Sequence, residues 1–205
     1  VQQCNNLIVD EAHHIAAKTW KEIKLNFESV GKPVLLFTAT PFRNDGGRIE
    51  GETIYNYPLS LAQRDKYYEK IIFAPIVDFN PATADKKIAE KAIETLKRDL
   101  ESGYDHILMA RVDERKKAED IYEQIYKYYS EYSPVFIHSG ISKTLQREIL
   151  EGIKEKKHRI IVCVDMLGEG FDLPQLKICA MHEMHKNITT SFQFIGRFTR
   201  TTGSN

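Results

Sequence analysis

Asp10-Glu11-Ala12-His13-His14 follows the apolar run Leu7-Ile8-Val9 without a spacer, so two carboxylates and two imidazoles stand at the end of a short hydrophobic segment. An apolar run that short predicts a strand buried on both faces, and the carboxyl edge of an open α/β sheet is where such folds place their chemistry. A carboxylate there can hold Mg²⁺ against the β- and γ-phosphates of a nucleotide, and a neighbouring acid can orient or deprotonate the attacking water. Asp10 and Glu11 suit those two tasks. The same acids would also serve simply to start the next helix, because carboxylates favour the positive end of the helix dipole.

Further polar residues close other apolar runs. Val34-Leu35-Leu36-Phe37 predicts a second strand too apolar to have a wet face, delivering Thr38 and Thr40 to the edge that carries Asp10. A Thr-rich turn before Pro41, continued by Arg43-Asn44-Asp45-Gly46-Gly47, explains these threonines equally well. Later, Arg111 follows Ile107-Leu108-Met109-Ala110, His138-Ser139-Gly140 follows Val135-Phe136-Ile137, Asp165 follows Ile160 to Val164, and His182-Glu183 follows Ile178 to Met181. Strand ends of a parallel sheet share one edge. Hydroxyls, a small glycine and an arginine on that edge are the parts that grip a phosphodiester backbone without reading bases. For His138, Ser139 and Gly140, a loop that merely leads into the next helix is the rival reading. Gly168-Glu169-Gly170-Phe171-Asp172 brings two glycines where backbone must bend or come close to something, followed by an acceptor suited to a sugar hydroxyl. Gln193, Arg197 and Arg200 fall on one face of a predicted helix, which Phe194, Ile195 and Phe198 would pack down. On an exposed helix the same arginines would be a solvated face.

The elements that must position these residues alternate. A helix over Ile15 to Phe27, stopped by Gly31 and Pro33, leads to the second strand. Ile54 to Asn80 is irregular, with Tyr55, Tyr57, Tyr67 and Tyr68 and the run Ile71-Ile72-Phe73-Ala74 between Pro58 and Pro75. It reads as a connection between two domains, its aromatics wedged against their own domain rather than stacking on bases. Beyond it a helix carries Ile88, Ala92, Leu96 and Leu100 on one stripe and is closed by Gly103. Helices over Asp113 to Tyr129, with Tyr128 among its inward residues, and over Ser142 to Ile153 alternate with the later strands, and Thr190 with Gln193 can form a capping box. This alternation predicts an α/β fold of parallel sheets flanked by helices.

With 205 residues, 42% of them hydrophobic, the chain is long enough for one large or two small cores. Its 29 basic and 29 acidic residues cancel, which excludes a global positive field as the basis of nucleic-acid binding and leaves only local contacts. Cys4, Cys163 and Cys179 lack metal-ligand spacing and fit thiols in a reducing compartment, hence a cytoplasmic protein. No apolar stretch approaches the roughly 20 residues of a membrane span.

Leu7 to His14 resembles the second motif of superfamily 2 helicases of the DEAH variety. Thr38-Ala39-Thr40-Pro41 resembles their third motif, Ile107 to Arg111 their fourth, Ile160 to Pro174 their fifth, and Gln193 to Arg200 their sixth, in sequence order over almost the whole chain. The resemblance implies an ATP-dependent helicase or translocase using ATP and Mg²⁺, with Asp10 and Glu11 as metal and catalytic acids. It implies that Gly170, Asp172 and Gln193 touch the nucleotide, and that Arg197 and Arg200 bring positive charge to the γ-phosphate. It implies further that His13, Thr38 and Thr40 couple nucleotide state to domain arrangement, and that Arg111, His138, Ser139, Gly140 and Asp165 contact the nucleic-acid backbone. Val164 stands where many relatives have threonine, removing one hydroxyl from that surface.

No G-x-x-x-x-G-K-[ST] loop is present, so residues 1–78 are expected to be the back half of a first RecA-like domain, cut before its phosphate-binding loop, and 79–205 a second one. The chain alone is then not expected to hydrolyse ATP. Expected partners are nucleic acid, the front half of the first domain, and other subunits of a restriction or repair system, with no membrane. The wording around Thr38 and Gly168 is most like bacterial restriction and DNA-repair helicases, which favours DNA. The alternative is a non-catalytic binding or scaffold module that keeps the fold, although a scaffold needs none of Asp10, Glu11, Arg197 and Arg200.

Overall fold

The computed structural model describes residues 4–39, 47–164, 173–183 and 194–199, apart from the side chains of Pro81 and Ala82. It divides into two compact units, one built on Val1–Tyr57 and the other on Pro58–His185 with Phe194–Asn205.

In the first unit, β1 (Leu7–Val9) pairs in parallel with β2 (Val34–Leu36), Leu7 opposite Val34 and Val9 opposite Leu36. A single 3₁₀ turn at Ala12–His14 precedes α1 (Lys18–Glu28), which therefore starts later than the apolar spacing predicts. Strand alternation sends Val9 into a small core with Ala12 and Ile15, joined by Leu7, Leu36 and Ile49. Ile8 and Leu35 point the other way and are 62% and 36% exposed. The expected burial of both faces is thus corrected to one. Burial requires a partner layer, not only apolar side chains.

The second unit opens with the short α2 (Leu59–Arg64). Tyr67, Ile72 and Phe73 follow without forming a strand and remain exposed, and Tyr55, Tyr57 and Tyr68 are exposed too, so the expected wedging of aromatics does not hold. Asp78 then organises the start of α3 (Pro81–Glu101): its carboxylate accepts from the Asn80 N–H, the Thr83 hydroxyl and Lys87. Proline at the first helical position loses nothing there, because that N–H has no helical acceptor. Gly103, at φ +85°, ends the helix as expected.

Four parallel strands, β3 (Ile107–Val112), β4 (Val135–Ile137), β5 (Ile160–Val164) and β6 (Leu176–Met181), lie in the order β4-β5-β3-β6. β3 is buried along its whole length and splits its residues by parity. Leu108, Ala110 and Val112 join Ala89, Ala92, Ile93 and Leu96 of α3 and Ala118 and Ile121 of α4 (Arg115–Gln124). Ile107 and Met109 face Ile153 of α5 (Lys143–Lys154) and Phe194 on the opposite side. Helices on both faces explain why this sheet has no wet side. Helix α4 is shorter than the apolar spacing predicts. At Ile125 the backbone leaves the α region (φ −127°, ψ −68°) for two 3₁₀ turns, which turns Tyr126 inward and leaves Tyr128 77% exposed.

Candidate functional site

The first-unit site is built by a ladder that continues past the strand ends. The Phe37 N–H donates to the Val9 carbonyl (2.8 Å) and the Ala12 N–H to the Phe37 carbonyl (2.9 Å). Asp10 and Glu11 form the two-residue excursion between those bonds, and Thr38 follows Phe37 directly, so the acids and the hydroxyl share one edge. The excursion forces Glu11 into the left-handed region (φ 50°, ψ 47°), a conformation that costs a non-glycine residue about 1–3 kcal/mol and persists only where the surroundings impose it. The Glu11 N–H donates to the Asp10 carboxylate (2.9 Å), and the Glu11 carboxylate lies 3.3 Å from Nδ1 of buried His13. Asp10 is exposed. One exposed carboxylate beside a hydroxyl fits a magnesium ion, which keeps most of its waters and takes few protein ligands. Glu11 stands close to His13 and stays largely exposed, as an acid that meets a water would. Among the described residues no group of three or more His, Cys, Asp or Glu side chains could cage a metal.

In the second unit the carboxyl edge of β3 and β6 carries an interlocked set of charges. The His182 N–H donates to the Arg111 carbonyl (3.1 Å), the Asp113 N–H to the Glu183 carboxylate (2.7 Å), and Lys117 reaches Glu183 (3.3 Å) and Asp85 (3.7 Å). The buried imidazole of His182 bridges Asp85 (Nδ1, 2.8 Å) and the Tyr126 hydroxyl (Nε2, 2.9 Å). Burial pushes the Asp85 carboxyl up, but the hydrogen bond and charge of His182 and the charge of Lys117 outweigh it and hold it below its ordinary range. Burial above all pushes the Tyr126 hydroxyl far up, so it keeps its proton. Arg111, His182 and Glu183 were legible as polar strand ends, whereas Asp85, Asp113, Lys117 and Tyr126 join the network only through the fold.

Arg111 departs from expectation. It lies inside β3, opposite Cys163, because pairing with β5 continues to Val112, and it is 0% exposed. Direct contact with a nucleic-acid phosphate is closed to it in this conformation.

His138, Ser139 and Gly140 sit on the turn from β4 to α5, whose start is capped by the Ser142 hydroxyl accepting from the Leu145 N–H (3.2 Å). The Gly140 N–H donates to His138 Nδ1 (2.9 Å), which leaves the imidazole neutral with its outward proton on Nε2. Burial, then the positive charge of Arg115, lower the His138 pKa, against a smaller opposing effect of Glu119. A Cβ on Gly140 would lie 2.8 Å from the Arg115 guanidinium, so glycine is what lets that arginine approach the turn. Arg115 was not among the residues singled out by motif. Its signal is electrostatic: α4 begins Arg115-Lys116-Lys117 with no acid in its first turn, cations at the end of a helix that favours anions.

At the last motif, helical geometry covers Phe194–Gly196 and gives way to a turn at Arg197–Phe198. The Arg197 N–H donates to the Phe194 carbonyl (3.1 Å), and Arg197 is half-buried. Thr40, Asp165, Gly170, Asp172, Thr190, Gln193 and Arg200 lie outside the described residues. Among the described residues no helix is long and apolar enough to cross a membrane.

Known proteins match the same two parts. The family described as type III restriction enzyme, res subunit, matches residues 2–43, and the helicase conserved C-terminal domain matches residues 87–202. UvrABC system protein B of Chlamydia abortus (strain DSM 27085 / S26/3) is 26% identical over 131 residues, covering 62% of this chain and 19% of its own length. Putative helicase 22 of Sulfolobus islandicus filamentous virus (isolate Iceland/Hveragerdi) is 23% identical over 229 residues, covering 98% of this chain and 40% of its own. Dbp5 of S. cerevisiae, solved bound to RNA and ADP BeF3, superposes with a TM-score of 0.51 at 12% identity, over 95% of this chain and 50% of that one. The chain thus spans at most two-fifths of these curated relatives and half of that solved chain. Because the C-terminal domain family covers more than half of the sequence and the parallel α/β units carry its motifs in order, the chain belongs to the helicase family and is part of a superfamily 2 helicase core.

Proposed function

We propose that the protein carrying this chain is an ATP-dependent helicase or translocase acting on nucleic acid, with DNA as the substrate. The observation that carries the reading is the Asp10-Glu11 excursion. A strained Glu11 with its carboxylate 3.3 Å from buried His13, on the strand edge that also carries an exposed Asp10 and Thr38, is an arrangement that a purely structural turn does not need. Asp10 would hold Mg²⁺ and Glu11 would orient the attacking water. ATP supplies the phosphoryl group whose transfer powers the cycle. Arg197 and Arg200 would meet the γ-phosphate, Gly170, Asp172 and Gln193 the rest of the nucleotide, and His13, Thr38 and Thr40 would couple the two units. His138, Ser139, Gly140, Asp165 and the Arg115 beside them would contact the sugar-phosphate backbone without reading bases. The choice of DNA rests on the wording of the residues around Thr38 and Gly168, which is most like restriction and DNA-repair helicases.

The test is ATP hydrolysis by the longest form of the protein, with and without single-stranded DNA or RNA. Hydrolysis stimulated by DNA, and lost in Glu11→Gln by about 10² or more with ATP binding within a few-fold, is the expected result. Hydrolysis undiminished in Glu11→Gln would remove the site. Absence of hydrolysis in the unaltered protein would leave a nucleic-acid-binding scaffold.

A further inference from the structure

Arg111 lies at the end of the β3 column formed by Ile107 and Met109, on the face that also holds Phe194. Its guanidinium does three things at once. One nitrogen donates to the Glu183 carbonyl (3.1 Å), a second pairs with the Asp113 carboxylate, and the guanidinium carbon sits over the Phe194 ring, 5.8 Å from its centroid. A cation within about 6 Å of an aromatic centroid is attracted by the ring quadrupole, and more strongly when water is excluded, as at this 0% exposed side chain.

Glu183, just past the end of β6, and Phe194, at the start of the last described segment, both meet this one side chain. Phe194 opens the short segment that carries Arg197, and it is 1% exposed. One side chain therefore holds both anchors of the last motif against the central strand. The anchors are themselves held: Asp113 and Lys117 engage the Glu183 carboxylate, the Arg197 N–H bonds to Phe194, and the Thr199 carbonyl accepts from the Glu69 N–H (2.8 Å).

We infer that Arg111 is a positioning residue for the last motif, setting the place of Phe194 and through it of Arg197, and that it is not a nucleic-acid contact. Lysine cannot substitute. An ammonium has no fork to reach Glu183 and Asp113 together while standing over the Phe194 ring. This inference rests on the proposed role of Arg197 at the γ-phosphate.

The experiment compares Arg111→Lys and Phe194→Leu, singly and together, in the longest form of the protein. Each is expected to lower the nucleic-acid-stimulated kcat by about tenfold or more while KM for ATP and Kd for single-stranded DNA stay within about threefold. The double variant should be no worse than the poorer single, since both break one contact. A tenfold weaker Kd for DNA with kcat intact at saturation would overturn the inference and return Arg111 to the nucleic-acid surface. So would multiplicative losses in the double variant. Should the unaltered protein hydrolyse no ATP, the proposed function fails, and the placement of the motif is read separately by amide hydrogen exchange. Arg111→Lys should lower the protection of Arg197, Phe198 and Glu69 while the amides of β3 and β5 keep theirs. Unchanged protection at all three overturns the inference whatever the ATPase result.

Discussion

β1 and β3 read alike as short apolar strands ending in polar residues, yet they meet different surroundings. β3 sits between β5 and β6 with helices on both faces, and every residue from Ile107 to Val112 is buried, Arg111 included. β1 pairs only with β2 among the described residues, and its middle residue, Ile8, is largely exposed. The same pattern of side chains thus yields a core strand in one unit and a half-covered strand in the other. The difference teaches that burial belongs to the partner layers. It extends to the polar ends: at β1 the carboxylates stay outside as Asp10 and Glu11, whereas at β3 the sheet swallows the arginine and turns it into a brace.

Removing core from each strand tests that contrast most severely. Leu108→Ala should destabilise the second unit by about 2–5 kcal/mol, the range for a fully buried large-to-small change, while Ile8→Ala should cost well under about 1 kcal/mol. Denaturant unfolding of both variants measures it, and equal losses would mean that β1 has a covered second face. Next in size is the division of chemistry between the units. Arg200→Ala should leave ATP binding within a few-fold but lower stimulated hydrolysis by about 10² or more, the mark of a contact made in the transition state. Hydrolysis at the parent's stimulated rate would show that arginine to be a surface charge.

A smaller effect separates the buried Arg111 from Arg115 beside the Gly140 turn. Binding of single-stranded DNA should weaken steeply between low and physiological salt, and Arg115→Ala should reduce the slope of log K against log salt by about 1. Arg111→Lys should leave that slope alone. A slope unchanged in Arg115→Ala would remove it from the phosphate surface. The smallest effect concerns the start of α3. Lys87 foremost, then the Asn80 N–H and the Thr83 hydroxyl, hold the Asp78 carboxyl down at about 2, below its ordinary 3.8. A depressed carboxyl stabilises the fold fully above its ordinary value and loses that contribution as pH falls toward the folded one. The thermal midpoint should therefore drop between pH 5 and pH 2.5 slightly more in the parent than in Asp78→Asn, and identical profiles would assign Asp78 no role in that drop.

Much of this protein was legible in the residues themselves, because local rules decide it. Short continuous apolar runs and period-3.6 stripes placed the strands and most helices, Ser142 and Gly103 marked ends that the backbone confirms, and the alternation of elements required parallel sheets. The motif order named the helicase core without any coordinates, since those strings combine residue types that packing alone has no reason to assemble. What tertiary structure alone decided is where long-range partners act. The exposure of Ile8, the exit of the chain from the helical path at Ile125, the approach of Arg115 to Gly140 and the Asp85–His182–Tyr126 bridge join residues far apart in sequence. Arg111 shows the limit most plainly. Its position at the end of an apolar run marks a strand terminus facing a ligand, but continued pairing with β5, the Glu183 carbonyl and the Phe194 ring enclose it, and no local rule carries information about those three.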